Sequence, residues 1–192
     1  MRIVKQVCHA ALRTPDIEAS VRHATEILGL REVERAGDAV FLTSGVRHHE
    51  LQLIGSDRTA FDHIGLEAAS DDALDVLYDR LVAEGAPILS QQPEEPGFDR
   101  ALRFEVPGGH VVEVASGVHR DQPAVYNGPG MRPRKLSHVT VGCEGRGEME
   151  SFLVRVLGFI PSDRVGDDFV WLRCNADHHA IAIARVETGL RH

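Results

Sequence analysis

The sequence predicts an α+β fold made of tandem β-α-β-β-β modules, three of which are present in the chain. Short apolar segments with a central histidine open the modules, at residues 7–12, 61–66 and 136–141. Each is followed by apolar positions at helical spacing and then by three strand-like segments bounded by turn residues. The repetition of this order along the chain defines the predicted fold class.

The helices are predicted from their ends as well as from their apolar faces. The first follows Thr14-Pro15-Asp16, which supplies an N-cap and a proline for the first turn. The second is capped by Ser70 and ends at Gly85, and the third ends at Gly158, because glycine often follows the last apolar residue of a helix. The strands predicted after the three helices are residues 31–35, 39–43 and 48–54, then 86–90, 101–106 and 110–115, then 159–165, 168–174 and 178–185.

Matched spacings indicate that a larger, two-module unit is duplicated. His9 and His63 are 54 positions apart, as are His138 and His192. The segment FLTSGVRHH at 41–49 also reappears as WLRCNADHH at 171–179. The second copy stops partway, so the predicted domains are a two-module N-terminal domain, a linker rich in proline and glycine, and the first module of an incomplete C-terminal domain. Their respective limits are residues 1–116, 117–133 and 134–192.

Composition excludes several classes of protein. The net charge is -8, aromatic residues make up 5% of the chain, and no basic stretch stands out, which argues against a nucleic-acid surface. No apolar run approaches the roughly 20 residues of a membrane span, and the start of the chain does not resemble a secretory signal. The three cysteines form no paired framework. These features predict a cytoplasmic protein with no nucleic-acid or membrane partner.

Paired β-α-β-β-β modules with a histidine in each opening strand resemble the vicinal oxygen chelate superfamily, which has a glyoxalase-like fold. This superfamily includes glyoxalase I, bleomycin-resistance proteins and type I extradiol dioxygenases. The segment WLRCNADHHAIAIA, preceded by LSHVTV and LGF, is most similar to the catalytic half of the two-domain extradiol (catechol 2,3-) dioxygenases. The resemblance implies cleavage of a small aromatic diol by O2, non-haem Fe(II) or alternatively Mn(II) as cofactor, and a homo-oligomer active in aromatic catabolism.

The resemblance also implies roles for individual residues. His138 and His192 correspond to two metal ligands, and His179 corresponds to the acid–base histidine. The third ligand of the family is a glutamate of the fourth module, which lies beyond the end of this sequence, so the 192-residue form is expected to be inactive. Two imidazoles and one carboxylate suit this chemistry because they leave coordination positions for the diol and O2. His179 is predicted to lie on a strand, so Ile181 and Ile183 are expected to share its face.

The N-terminal copy holds a complete alternative set of metal ligands. By the duplication, His9 and His63 match His138 and His192, and Glu113 follows His63 by 50 positions. Two departures argue against catalysis there. Arg103 stands where the catalytic half of the family has a tyrosine, and the acidic loop 94–97 lacks the histidine found in the catalytic half. This copy is therefore predicted to be a structural relic that can still bind adventitious metal.

Two other functions remain open at this point. One is a glyoxalase- or isomerase-like lyase that uses the N-terminal set, and the other is a metal-independent binding protein of the bleomycin-resistance type. A third module without its partner would also expose an unpaired edge and an apolar face. The chain is therefore expected either to be a fragment of a longer protein or to pair its third module with a neighbouring chain.

Overall fold

The computed structural model describes residues 2–120, 133–186 and 189–190, with no side chain described at residue 190. Most of the predicted linker, residues 121–132, lies outside these ranges. The described strands form two sheets, each with its helices packed on it. The predicted α+β class and the β-α-β-β-β order are confirmed. The domain limits remain a prediction.

The first sheet has eight strands and contains the first two modules. Its central strands are β1 and β5, which pair antiparallel, and each has a parallel neighbour on its other side, β4 for β1 and β8 for β5. The spatial order is β2-β3-β4-β1-β5-β8-β7-β6. The strands span β1 Val4–Thr14, β2 Arg31–Ala36, β3 Ala39–Thr43, β4 Leu51–Gly55, β5 Ala60–Ala68, β6 Ile88–Ser90, β7 Arg100–Val106 and β8 His110–Ser116.

The second sheet has five strands in the order β10-β11-β12-β9-β13 and contains the third module. Strand β13 comes after that module in the chain and pairs antiparallel with β9. The second sheet therefore repeats one half of the first sheet and begins the next half. Its strands span β9 Val139–Gly142, β10 Ile160–Val165, β11 Phe169–Arg173, β12 Ile181–Ala184 and β13 Gly189–Leu190.

In the described part of the chain, three helices cover the sheets, and most of their predicted ends are confirmed. Asp16 caps α1 by accepting a hydrogen bond from the backbone N–H of Ala19. Ser70 caps α2 in the same way, and α2 stops at Gly85, which has a left-handed conformation. The helices span α1 Ile17–Arg22, α2 Asp71–Glu84 and α3 Arg146–Phe152, and α1 and α3 each continue into a wider, π-helical turn, at His23–Ile27 and Leu153–Leu157. No helix in the described ranges is long and apolar enough to cross a membrane.

The second and third modules share one hydrophobic core. Phe104 of β7 is fully buried, and its ring centroid lies 6.4 Å from that of Phe152 in α3. His110 also donates a hydrogen bond of 2.8 Å to the carbonyl of Gly142, which joins the two sheets. The apolar residues of β11 and β12 that line this core are fully buried: Val170, Leu172, Ile181 and Ile183.

The apolar face that was expected to be exposed on the third module is not found in the described part of the chain. Large exposed apolar side chains of that module are confined there to Ile160, Val165 and Val186, which do not belong to its core. The second module already covers the core of the third. Burial of this core therefore does not require a neighbouring chain.

Candidate metal centre

Four side chains that can ligate a metal converge at the centre of the first sheet. His9 comes from β1, His63 from β5 and Glu113 from β8, while Glu95 comes from the loop between β6 and β7. Each offers one ligand atom, and these atoms all lie within 4.8 Å of one another. All four residues are buried. Three adjacent strands and one loop thus build a compact cluster of two imidazoles and two carboxylates.

Strand register explains why three of these side chains meet. His9 and Glu113 both lie directly opposite Gly65 on the central strand, one on each side. His63 precedes Gly65 by two residues, so it lies on the same face of the sheet. A Cβ atom at Gly65 would be 1.9 Å from Cε1 of the His9 ring. The glycine therefore leaves the space that the imidazole of His9 occupies.

The nitrogen atoms of the two histidines face each other across the cluster. The Nε2 atoms of His9 and His63 are 2.8 Å apart. Oε1 of Glu95 lies 2.7 Å from the first and 3.4 Å from the second. On its other side, the Nδ1–H of His63 donates a hydrogen bond of 2.7 Å to Asp62. This bond places the proton on Nδ1 and directs the lone pair of Nε2 into the cluster.

Several buried polar atoms of the cluster lack the partners they need. Among the described residues, neither carboxylate oxygen of Glu113 has a hydrogen-bond partner, and the same holds for Oε2 of Glu95 and Nδ1 of His9. The residue Glu113 is fully buried. A buried ionised carboxylate without a partner is strongly unfavourable, so it is usually paired or coordinates a metal. The geometry of the cluster thus fits a bound cation.

Burial and the two neighbouring carboxylates shift the protonation of the cluster. Burial and the charge of Glu95 raise the pKa of Glu113 to about 8. Burial opposes ionisation of Glu95 too, but the three histidines around it outweigh that effect and lower its pKa. Burial lowers the pKa of His9 to about 4. Without a cation, the two carboxylates therefore do not both ionise at neutral pH, as expected for like charges in close contact.

A carboxylate and two arginines support His63 from outside the cluster. Burial opposes ionisation of Asp62, but the hydrogen bond from His63 and the charges of Arg13 and Arg103 outweigh it and lower the pKa of Asp62 to about 2. Arg103 contacts Asp62 at 2.7 Å. Arg103 therefore anchors the carboxylate that orients a histidine of the cluster.

The loop that carries Glu95 is fixed over the cluster. The ring of Phe98 stacks on His9 with centroids 5.5 Å apart. The carbonyl of Gly97 accepts a hydrogen bond of 2.8 Å from the backbone N–H of His119, whose own carbonyl accepts one from His48. The side chain of Glu95 is only 2% exposed. Loop and cluster thus form one buried unit.

The second copy repeats part of this arrangement at its own histidines. The rings of His138 and His179 have centroids 4.3 Å apart, and those of His9 and His49 are 4.7 Å apart. Within each histidine pair, at 48–49 and 178–179, the two Nδ1 atoms are 3.0 Å apart. Unlike His9 and His49, His138 and His179 are only partly buried. The C-terminal pair therefore has the same internal geometry in a more open setting.

The register of the second sheet also repeats that of the first. Gly189 faces Gly142 as Ala60 faces Arg13, and Leu190 faces Val141 as Phe61 faces Leu12. Corresponding positions in these pairs are all 129 residues apart, as are His9 and His138. The predicted ligand His192 lies outside the described residues, so its role remains a prediction.

The expectation that Ile181 and Ile183 share a face with His179 is wrong. Strand β12 begins only at Ile181, and residue 179 lies in the preceding irregular segment, so the two-residue strand period does not extend back to it. Both isoleucines are fully buried in the core that includes Met149 and Phe152 of α3. They do not form an apolar wall around His179.

The structure brings together the three N-terminal residues that the sequence singled out and adds one that it missed. His9, His63 and Glu113 meet, and Glu95 joins them. In the sequence, the acidic loop is noted only because it lacks the histidine of the family. No periodicity or matched spacing relates Glu95 to the histidines, so its role as a ligand was missed. Its position depends on the fold of the loop between β6 and β7.

Comparisons with known proteins give the family of this chain. Residues 6–114 match the model of the Glyoxalase/Bleomycin resistance protein/Dioxygenase superfamily. A manganese-dependent 2,3-dihydroxybiphenyl 1,2-dioxygenase of Geobacillus genomosp. 3 is 30% identical over 194 residues, which cover 91% of this chain and 62% of that protein. A metapyrocatechase of Geobacillus stearothermophilus is 28% identical, over 85% of this chain and 54% of that protein. The chain thus spans about three fifths or less of the length of these relatives.

Solved structures agree with the sequence matches. The Mn(II)-bound glyoxalase from Novosphingobium aromaticivorans superimposes with a TM-score of 0.90 at 30% identity, covering all of this chain and 65% of that one. A 2,3-dioxygenase from Pseudomonas sp. KL28 superimposes with a TM-score of 0.87 at 23% identity, over 100% of this chain and 74% of that one, and supports the fold alone. The predicted resemblance is confirmed: the chain belongs to the glyoxalase/bleomycin resistance protein/dioxygenase superfamily, and its relatives include extradiol dioxygenases.

Proposed function

We propose that the chain forms the N-terminal half and the first catalytic module of an extradiol ring-cleaving dioxygenase that acts on a catechol-like diol. One observation carries the proposal. The pair His138 and His179 repeats the geometry of His9 and His49, which belong to the copy with a complete set of two histidines and a glutamate. Relatives named as dioxygenases of 2,3-dihydroxybiphenyl and as metapyrocatechases support the reaction class.

In this proposal, His138 and His192 are two protein ligands of a divalent metal, and a glutamate about 50 positions further along a longer chain is the third. The repeated register of β13 beside β9 supports the role of His192, because His192 follows Gly189 in the sequence by three residues, as His63 follows Ala60 within β5. A metal held there would supply coordination positions for both oxygens of the diol and for O2, which brings the two reactants together. Fe(II) and Mn(II) both suit this ligand set. Manganese is named for one relative, the Geobacillus dioxygenase, and for one solved structure, the Novosphingobium glyoxalase.

The chain's own contribution to the proton transfers is assigned to His179. Its ring lies against that of His138, with ring centroids 4.3 Å apart, so a diol bound at His138 would be close to it. Imidazole can accept a proton from a diol hydroxyl and return it at neutral pH. The partial exposure of both rings leaves access for a small aromatic molecule, in contrast to the buried N-terminal cluster.

Oxygen uptake with catechol and 2,3-dihydroxybiphenyl tests this proposal. The Fe(II)-loaded and Mn(II)-loaded 192-residue chain is expected to be inactive, whereas a fusion that adds the fourth module of the Geobacillus dioxygenase is expected to consume O2 and form a yellow ring-cleavage product. In that fusion, His179→Ala should lower kcat by roughly 10²–10⁴-fold, as for loss of an acid–base group. His23→Ala is a matched control, because His23 is an exposed histidine on the π-helical turn that follows α1.

Each alternative function predicts a different outcome of the same assays. Activity without O2 consumption that is lost in His63→Ala but kept in His138→Ala would support the lyase and contradict the proposal. Ligand binding that is unchanged by removal of metal would support a binding protein of the bleomycin-resistance type. The homo-oligomeric state and the cytoplasmic location remain predictions.

A further inference from the structure

We propose that His9, His63, Glu95 and Glu113 form a closed, structural site for one divalent cation of the first transition row, with Glu95 as a ligand supplied by the loop between β6 and β7. This site is distinct from the proposed catalytic metal of the second copy. It would stabilise the first sheet and would not turn over a substrate.

The distances between the ligand atoms fit coordination of a single ion. Ligand atoms bound to one ion at roughly 2.0–2.2 Å lie roughly 3.0–3.5 Å apart. Nε2 of His63 lies 3.4 Å from Oε1 of Glu95, within this range, whereas Nε2 of His9 lies 2.8 Å from Nε2 of His63 and 2.7 Å from Oε1 of Glu95. A bound ion would move the His9 ring outward by a few tenths of an ångström. The two neutral imidazoles and two carboxylates carry a charge of minus two, which a divalent cation neutralises. Nitrogen and oxygen donors without a thiolate suit Zn²⁺ and Mn²⁺ among other first-row ions.

Two further observations point to a ligand at this position. Both oxygens of Glu113 are buried without a hydrogen-bond partner among the described residues, and the carboxylate group reaches into the cluster. In addition, Asp62 accepts the Nδ1–H of His63, which is the usual arrangement of a metal-binding histidine with a supporting carboxylate. Coordination of a cation would give the two oxygens of Glu113 a partner.

Closure of the site distinguishes it from a catalytic centre. Catalytic metal sites keep an open position for water or substrate, whereas structural sites are closed by protein ligands. Glu95 supplies a fourth donor, and its loop is held by the stacking of Phe98 on His9 and by the hydrogen bond between Gly97 and His119. The four donor residues are each at most 7% exposed. A substrate would have to displace Glu95 and open this loop to reach the ion.

Metal content and thermal unfolding of the 192-residue chain test the proposal. The chain is freed of metal with a chelator, dialysed against Zn²⁺ or, in parallel, Mn²⁺, and analysed by elemental mass spectrometry. His138→Ala is used as the background to remove any ion held by the second copy. One ion per chain is expected in this background. At free Zn²⁺ a hundredfold above Kd, the Tm should rise by about 5–10 °C.

Variants that remove one carboxylate charge distinguish a metal site from a cluster that serves only to fill the core. Glu113→Gln and Glu95→Gln should each weaken Zn²⁺ binding at least tenfold. Without metal, Glu113→Gln should have a Tm equal to or above that of the parent, because it removes one of two adjacent buried carboxylates. Glu94→Gln is the matched control, since the neighbouring Glu94 is half-exposed and pairs with Arg103, and it should bind Zn²⁺ like the parent.

Three results would overturn the proposal. The first is no bound ion in the His138→Ala background at millimolar Zn²⁺ or Mn²⁺. The second is an ion whose affinity is the same in Glu113→Gln and in the parent. The third is Zn²⁺ binding that leaves the Tm unchanged. All of these readouts are independent of ring cleavage, so they do not depend on the proposed dioxygenase activity.

Discussion

Replacing Phe104 with alanine is expected to lower the free energy of unfolding by about 3–5 kcal/mol, as for other buried phenylalanines. The side chain is fully buried, and it lies in the core that the second module shares with the third, close to Phe152. The loss is a large part of the roughly 5–15 kcal/mol by which most domains are stable. A measurable fraction of the molecules should therefore be unfolded at 37 °C in this variant.

Urea unfolding monitored by two probes measures this effect. Circular dichroism reports on the whole chain, and the fluorescence of Trp171, the single tryptophan, reports on β11 of the second sheet. Because the core is continuous, both transitions should shift together to lower urea. Tyr78→Ala on the outer face of α2 is the control and should change stability by less than about 1 kcal/mol. A fluorescence transition that stays in place while the dichroism shifts would contradict the shared core.

Replacing Gly65 with alanine is expected to be nearly as damaging, for a different reason. The new methyl group would lie 1.9 Å from the ring of His9, and neither of them can move freely, because the glycine is in a central strand and the ring is fully buried. Overpacking of this kind typically costs about 1–3 kcal/mol, and we expect a value near the upper end. The displaced ring should also lower the affinity of the N-terminal cluster for Zn²⁺ by at least tenfold.

A second glycine provides the comparison for this variant. Gly147 lies on the exposed side of α3, where an added Cβ atom meets no described atom within 4 Å. Gly147→Ala should therefore raise stability slightly, by about 0.5–1 kcal/mol, because alanine favours the helix. Calorimetric unfolding of both variants, with and without Zn²⁺, tests the pair. If Gly65→Ala kept the Tm and the Zn²⁺ affinity of the parent, the described position of the His9 ring would be wrong.

The features that could be predicted from the sequence are those encoded locally or by repetition. The ends of α2 follow from Ser70 and Gly85, whose preferences act within one helical turn. The set of His9, His63 and Glu113 is implied by the resemblance to the family, carried to the N-terminal copy by the duplication, and the register of β1, β5 and β8 brings the three together. The helix ends can be predicted from neighbouring residues, and the ligand set from the spacing of the two copies together with the family resemblance.

The features that could not be predicted depend on irregular backbone or on contacts between modules. Glu95 reaches the cluster through a loop whose path has no periodic pattern. His179 precedes its strand, so the alternation that relates it to Ile181 fails at the irregular segment between them. The core around Phe104 and Phe152 joins residues of different modules, and no spacing in the sequence relates one to the other.

The backbone hydrogen bonds of His119 have a consequence for how the N-terminal half can be dissected. They tie the segment after β8 to the turn at Gly97 and to the segment at His48, so this segment acts as a clasp across the sheet. Arg120 adds a bridge to Arg47 beside it. A polypeptide cut at Ser116, where the last strand ends, would lose the clasp, so any piece that is to keep the Glu95 loop in place has to extend at least to Arg120.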